Sequence, residues 1–226
     1  MSAMTRRAGL TAFGLATVAA GVAAWTRKTS SHSDSVDRQR PRMDPRERLQ
    51  RYHLPNVDLV THDGKKVRFY DDLVKDRKVV INFMYTNCAD GTCPITTANL
   101  VQVQKLLGDR VGRDIFFYSI TLSPDHDTPA VLARYARAYS VGPGWTFLTG
   151  EPEHVERLRK ALGFAYADPV EDANKTNHVG MLRYGTEPLM IWGAAQGMAN
   201  PKHLLTILLW EFDRPLPGKA PRAPLA

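Results

Sequence analysis

Cysteine is scarce in this chain: Cys88 and Cys93 are the only two in 226 residues. That excludes a scaffold built on disulfides. It also leaves too few thiols for a structural zinc site unless histidines complete it. No internal repeat is evident, so solenoids and propellers are excluded. Lysine and arginine do not gather with aromatics on the segments that read as folded elements, so nucleic acid is not an expected partner. Neither cysteine sits in the Pro-x-x-x-Thr-x-x-Cys pattern of a thiol peroxidase, and no arginine stands nearby to activate a peroxide. The formal charge of +7 comes largely from the stretch up to Arg51, where ten basic residues stand against four acidic ones. The basic character therefore belongs to a tail, either a solvated linker or a contact with anionic lipid, and not to a binding face.

What is present begins with a targeting pattern. Arg6-Arg7 precede the uncharged run Ala8 to Ala24, which ends in small residues. This is the pattern of an export signal, and Thr5 to Leu10 is similar to a twin-arginine signal. At about 17 residues the run is at the short limit for a spanning helix, so a cleaved signal and a retained membrane anchor both fit residues 1–25. Either way, the rest of the chain is expected outside the cytoplasm. Residues 26–51 are polar with few large apolar side chains and read as a linker. The folded domain is expected over 52–214, with a disordered tail at 215–226.

Within that domain, Asp58 to His62 and Lys66 to Phe69 flank the turn signal Asp63-Gly64 and predict a hairpin. Val79 to Tyr85 reads as the central strand, followed by a helix from Pro94 to Leu107 with Leu100, Val103 and Leu107 on one face. Ile115 to Thr121 is the next strand. Thr128-Pro129 opens a second helix, Trp145 to Leu148 forms a strand, and Thr149 caps a third helix that stops at Gly163. His178 to Tyr184 and Pro188 to Trp192 predict a late hairpin turning at Gly185-Thr186, and Asn200-Pro201 caps a last helix. Strands alternating with helices give an α/β class. The expected architecture is a thioredoxin-like fold, with a central mixed sheet flanked by helices and an N-terminal hairpin extension.

The chemistry concentrates at Val79 to Pro94, where a buried strand breaks into a loop holding both cysteines. Cys93 is expected at the cap of the following helix, where backbone amides and the helix field would lower its pKa. The turn Asp90-Gly91 can bring Cys88 to face it. Two thiols so placed serve either a soft metal or disulfide exchange; an inert structural disulfide is the bland reading. Among the seven histidines, His32, His53, His62, His154 and His203 read as solvated or peripheral. His126 lies at the sheet end that carries the cysteine loop. His178 opens a strand after the polar stretch Asp168 to Asn177, also next to that loop, and is a candidate ligand.

These residues resemble the Sco/SenC family of copper chaperones. The resemblance rests on the paired cysteines followed by Pro94, on Thr121-Leu122-Ser123-Pro124-Asp125-His126-Asp127-Thr128-Pro129, on Leu148-Thr149-Gly150, and on a lone histidine before the late hairpin. It covers roughly residues 50 to 212. It implies a copper site made by Cys88, Cys93 and His178, with Cys88 and Cys93 also a redox-active pair. It further implies delivery of copper to a respiratory oxidase centre, most directly that of cytochrome c oxidase. Implied partners are the oxidase subunit carrying that centre, other copper chaperones and thiol reductases, with a membrane contact through the N-terminal segment. The implied location is the periplasmic face of the bacterial inner membrane. A thiol–disulfide oxidoreductase acting on the cysteines of a target copper site uses the same pair and stays open as the alternative. The chain departs from the family in two places: four residues separate its cysteines where three are usual, and Asn177 and Val179 flank the histidine in place of aspartate and serine.

Overall fold

The computed structural model describes residues 43–174 and 180–214. The targeting segment, most of the expected linker, the 215–226 tail and His178 with its neighbours Asn177 and Val179 lie outside the described residues. The chain divides after Asp44, and the unit from Pro45 onward carries the elements below.

In chain order these are helix α1 (Pro45–His53), strands β1 (Asp58–Thr61) and β2 (Lys66–Arg68), a π-helical turn (Phe69–Val74), strand β3 (Lys78–Met84), helix α2 (Thr92–Leu107), strand β4 (Ile115–Thr121), helix α3 (Pro129–Ala138), strand β5 (Trp145–Thr149), helices α4 (Pro152–Ala161) and α5 (Pro169–Ala173), strands β6 (Met181–Thr186) and β7 (Ile191–Gln196), and helix α6 (Pro201–Phe212). The strands form one sheet in the order β2-β1-β5-β4-β3-β6-β7. β3, β4 and β5 run parallel, with Lys78 opposite Ile115 and Phe117 opposite Trp145. β6 and β7 are added antiparallel on one side and the β1–β2 hairpin on the other. The sheet is therefore mixed, flanked by helices, and extended by an N-terminal hairpin, as its sequence pattern predicts.

β3 explains why the sheet is covered on both faces. Six of its seven residues are buried, as a central parallel strand requires. Alternation sends Val79, Ile81 and Phe83 to one side, against Phe69, Leu73, Leu158 and Phe164. Val80 and Met84 go to the other, against Leu100, Val103, Leu132, Leu204 and Phe212. Each such side chain contributes about 1.5–3 kcal/mol on burial. The second of these cores is roofed by α2, α3 and α6, and it continues upward into Cys93.

The structure corrects the sequence reading in several places. α1 occupies part of the expected linker, because Arg46 reaches back to the buried carboxylate of Glu187. α2 starts at Thr92 and not at Pro94, so Cys93 is a first-turn residue and not the cap. Thr149 ends β5 and Glu151 precedes α4, so no threonine caps that helix. Part of the polar stretch after Asp168 is the short helix α5. The late hairpin turns over Glu187–Leu189 with Met190 in the left-handed region (φ 55°), while Gly185 and Thr186 pair within the ladder opposite Trp192 and Ile191. Pro188 made the following residues look like a strand start, whereas it fits the 3-10 turn instead.

Candidate metal centre

The carboxyl ends of β3 and β4 lie side by side, and the chain after each forms the site. This is where ligand sites gather in parallel sheets. Leaving β3, Thr86 is fastened at once. Its amide donates to Asp127 Oδ2 at 3.0 Å and its hydroxyl to Oδ1 at 2.5 Å. Asp127 is fully buried and also accepts from Thr121 Oγ1 at 2.6 Å. His126 Nδ1 meets its Oδ1 at 2.8 Å, so one ring nitrogen of His126 is tied inward while the side chain is 59% exposed. A single carboxylate thus anchors the start of the cysteine loop to the end of β4.

The far end of the loop is fixed by Asp90. Its Oδ1 accepts the Thr92 amide at 2.9 Å, occupying one of the helix-start donors that α2 leaves unpaired. Gly91 between them takes φ 78°, a left-handed conformation that favours glycine. The four-residue spacer closes this way: Asp90 turns its side chain back toward both the helix and Cys88.

Cys88 and Cys93 are not joined in a disulfide. Cys88 is half-buried, donates to Asp90 Oδ1 at 2.8 Å, and receives the Cys93 amide on its sulfur at 3.3 Å. Cys93 is 2% exposed and packs into the core with Leu100 and Met84. Tyr85 lies against Cys88, and burial together with that sulfur pushes the tyrosine up to about 12. The thiol of Cys93 is pushed far above its ordinary range, first by burial and then by the neighbouring Cys88 and Asp90; the Tyr85 amide opposes the shift without overcoming it. This overturns the expectation of a thiolate held by the helix start: in the first turn, burial outweighs the field of the amides. The thiol of Cys93 is therefore protonated until something replaces the proton.

The two expected sulfur donors are brought together. His178 lies outside the described residues. Gly180 follows it by two positions and is packed so closely on Thr92 that an added Cβ would stand 2.8 Å from Thr92 Cγ2, one residue from Cys93. Its carbonyl accepts the Gly197 amide at 2.9 Å. Of the other histidines, His62 accepts the Phe147 amide and His154 meets the Asp58 carbonyl, both away from the cysteines. Among the described residues, no three His, Cys, Asp or Glu side chains share a point where they could hold a metal. The pair alone offers two soft donors and needs at least one more. Sequence reasoning missed Asp90, Tyr85 and Asp127 as parts of the site. Asp127 was visible inside the Asp127-Thr128-Pro129 motif, and Asp90 was visible only as a turn former.

A family model described as SCO1/SenC matches residues 45–183. A candidate copper-binding protein of Stutzerimonas stutzeri is 31% identical over 140 residues, 61% of this chain and 64% of its own length. The chain thus spans less than two thirds of that relative. Yeast Sco1 with copper bound has the same fold, with a TM-score of 0.58 at 19% identity over 71% of this chain and 88% of its own. So does BsSco, a member of the Sco family of cytochrome c oxidase assembly proteins in which a disulfide switch was identified, with a TM-score of 0.56 at 23% identity over 70% and 91%. The sheet and its covering helices are accordingly thioredoxin-like. With the paired cysteines at the strand–helix junction and a family match across more than half its length, this chain belongs to the SCO1/SenC family.

Proposed function

We propose that this protein carries copper outside the cytoplasm and delivers it to the copper centre of a respiratory oxidase, that of cytochrome c oxidase. The observation that carries this reading is the convergence of two cysteines, with the Cys93 amide directed at the Cys88 sulfur at 3.3 Å, in a chain of this family. Copper is cargo here. Cu(I) favours thiolate and imidazole donors, and Cys88, Cys93 and His178 form a three-donor set suited to it. Metal binding displaces both thiol protons, so the raised acidity threshold of Cys93 makes loading more favourable as pH rises. A three-donor site leaves a position at which a partner's ligand can attack, and the ion moves by ligand exchange. Oxidation to a Cys88–Cys93 disulfide removes both sulfur donors and discharges it. The matching partners are the oxidase subunit that carries the centre, upstream copper chaperones and reductases that keep the pair reduced. Residues 1–25 hold the protein at, or export it across, the bacterial inner membrane to its periplasmic face.

An anaerobic copper titration of the reduced protein tests the reading. One copper per chain is expected. Alanine at Cys88, Cys93 or His178 should abolish tight binding, and a His178→Ala protein with unchanged stoichiometry and affinity overturns the ligand assignment.

One observation favours a second reading, a thiol–disulfide oxidoreductase. Cys88 is half-buried while Cys93 lies beneath it in the core, the arrangement of an attacking and a resolving thiol. Cys88 as thiolate would attack a target disulfide and release one target thiol. Cys93 would then displace the second, leaving a reduced target and a Cys88–Cys93 disulfide. Cys93→Ser should then accumulate a mixed disulfide with an oxidised target peptide. Absence of any exchange counts against this reading.

A further inference from the structure

The end of the sheet opposite the cysteine loop exposes apolar side chains beside cations that have no carboxylate. β3 and β4 begin at this end, and the turn between β6 and β7 lies there. α2 and α6 both finish there. Arg110, just after α2, pairs with Asp213, just after α6, and Lys78 at the start of β3 donates to the Phe212 carbonyl. Trp210 near the end of α6 is 76% exposed, Leu106 near the end of α2 is 53% exposed, and Met190 in the β6–β7 turn is 38% exposed. The carboxylates at this end are already matched: Asp76, Asp109, Asp114 and Asp213 are each ion-paired to an arginine. Lys75 and Lys105 are exposed and meet no carboxylate among the described residues. The Arg77 guanidinium meets the Phe116 ring, 4.6 Å from its centroid, and the Tyr118 hydroxyl, but no carboxylate among them either. We propose that this end of the molecule docks on an anionic lipid surface, with Trp210, Leu106 and Met190 at headgroup depth and Lys75, Arg77 and Lys105 against lipid phosphates. The inference rests on the membrane placement of residues 1–25 proposed above.

Three features select a lipid surface as the occupant. The first is where the chain enters the folded unit. Arg46, in the first turn of α1, pairs with both Asp76 and Glu187, so the polypeptide arrives at this same end. The uncharged run Ala8 to Ala24 is therefore tethered to the end that carries the exposed indole, and a tether raises the local concentration of the surface that the run engages. The second is the pairing of side chains. The Arg214 guanidinium lies 5.0 Å from the Trp210 ring centroid, and an indole with a cation beside it suits the boundary between acyl chains and headgroups. The third is the sign of the unmatched charge. Anionic headgroups attract lysine and arginine, whose stems lie along apolar surface while their heads reach phosphate. Docking in this way has a direct effect on the cysteine loop. β3 runs seven residues, roughly 23 Å, from this end to the loop, so the thiols are held away from the bilayer and open to a partner.

The test reads Trp210 directly. Full-length protein is reconstituted into vesicles of neutral phosphatidylcholine, and into vesicles in which a third of the lipid is anionic phosphatidylglycerol. Both carry brominated acyl chains, which quench a tryptophan held at the acyl boundary. The difference between wild type and Trp210→Phe isolates Trp210, since Trp25, Trp145 and Trp192 are common to both proteins. We expect Trp210 to be quenched in the anionic vesicles, and the quenching to be lost in neutral vesicles and at high salt. Lys75→Gln and Lys105→Gln should each weaken docking about fivefold, read from the quenched fraction, with unchanged unfolding midpoints because both lysines are exposed. Protein that associates with the vesicles while Trp210 stays unquenched overturns the docking face and leaves the anchor standing. Protein that stays free of both kinds of vesicle overturns the anchor and the face with it. Equal quenching in neutral and anionic vesicles overturns the part given to the cations. Shielding of Trp210 that follows protein concentration and not lipid makes this end a contact between copies and overturns the proposal too.

Discussion

At the scale of single residues, the most consequential charge outside the cysteine loop is Glu187. It is 1% exposed and accepts from Arg46 Nε at 2.7 Å, Arg46 Nη2 at 2.6 Å, Tyr70 Oη at 2.8 Å and the Asp76 amide at 2.8 Å. Burial alone would raise its pKa, but the Arg46 guanidinium, the amide and the hydroxyl outweigh it and hold the carboxyl below its usual range. A carboxyl more acidic in the folded than in the unfolded state stabilises the fold above its unfolded pKa of about 4.3, and that contribution disappears as pH falls through the lower folded value. Arg46→Ala leaves the buried carboxylate with only the amide and the hydroxyl. It should cost about 1–3 kcal/mol at pH 7. The gap from wild type should narrow as pH falls below the unfolded value and through the lowered folded value of Glu187. Urea unfolding at pH 7 and near pH 3.5 checks this, and a gap of equal size at both would show that Arg46 acts through packing instead. Nothing in the sequence pairs Arg46 with a glutamate 141 positions away, which is why the stretch around it read as linker.

At the scale of elements, the strands were legible and their joints less so. β3 and β4 announce themselves through continuous apolar β-formers, because a strand buried on both faces has no polar side to show. α3 was legible from Thr128-Pro129, and the Thr128 hydroxyl does accept the Val131 amide. α2 begins two residues before Pro94, because the Asp90 carboxylate already satisfies the Thr92 amide. The signal that Cys93 would be buried was in the sequence: it continues the stripe Leu100 and Leu107 back by two turns, and residues seven apart share a helix face. Reading that stripe would have predicted a thiol kept protonated by the core and not a thiolate stabilised at a cap. The contacts of Asp90 and Tyr85 with Cys88 depend on how a four-residue spacer folds, which no periodicity encodes.

At the scale of the whole molecule, no helix among the described residues is long and apolar enough to cross a membrane. Stability there rests on two cores that share the central sheet. Because the site joins β3 to α2, copper binding to the reduced pair should stabilise the entire unit from Pro45 onward. With free copper at about 100 times its dissociation constant, the unfolding free energy should rise by roughly 2.7 kcal/mol. The protein carrying a Cys88–Cys93 disulfide should gain nothing from copper. Chemical denaturation of both forms, with and without metal, measures the difference, and equal stabilisation of the two would mean that copper binds elsewhere. The clamps at either end of the loop set how far such a change can spread. Asp127 holds Thr86 to β4, and Asp90 holds Thr92 at the head of α2, so the span from Asn87 to Gly91 is what lies between two fastenings. Rearrangement between dithiol and disulfide should therefore centre on this span and the first turn of α2, while the clamp of Asp127 keeps the end of β3 against β4. A partner that distinguishes the dithiol from the disulfide state should therefore touch this short span.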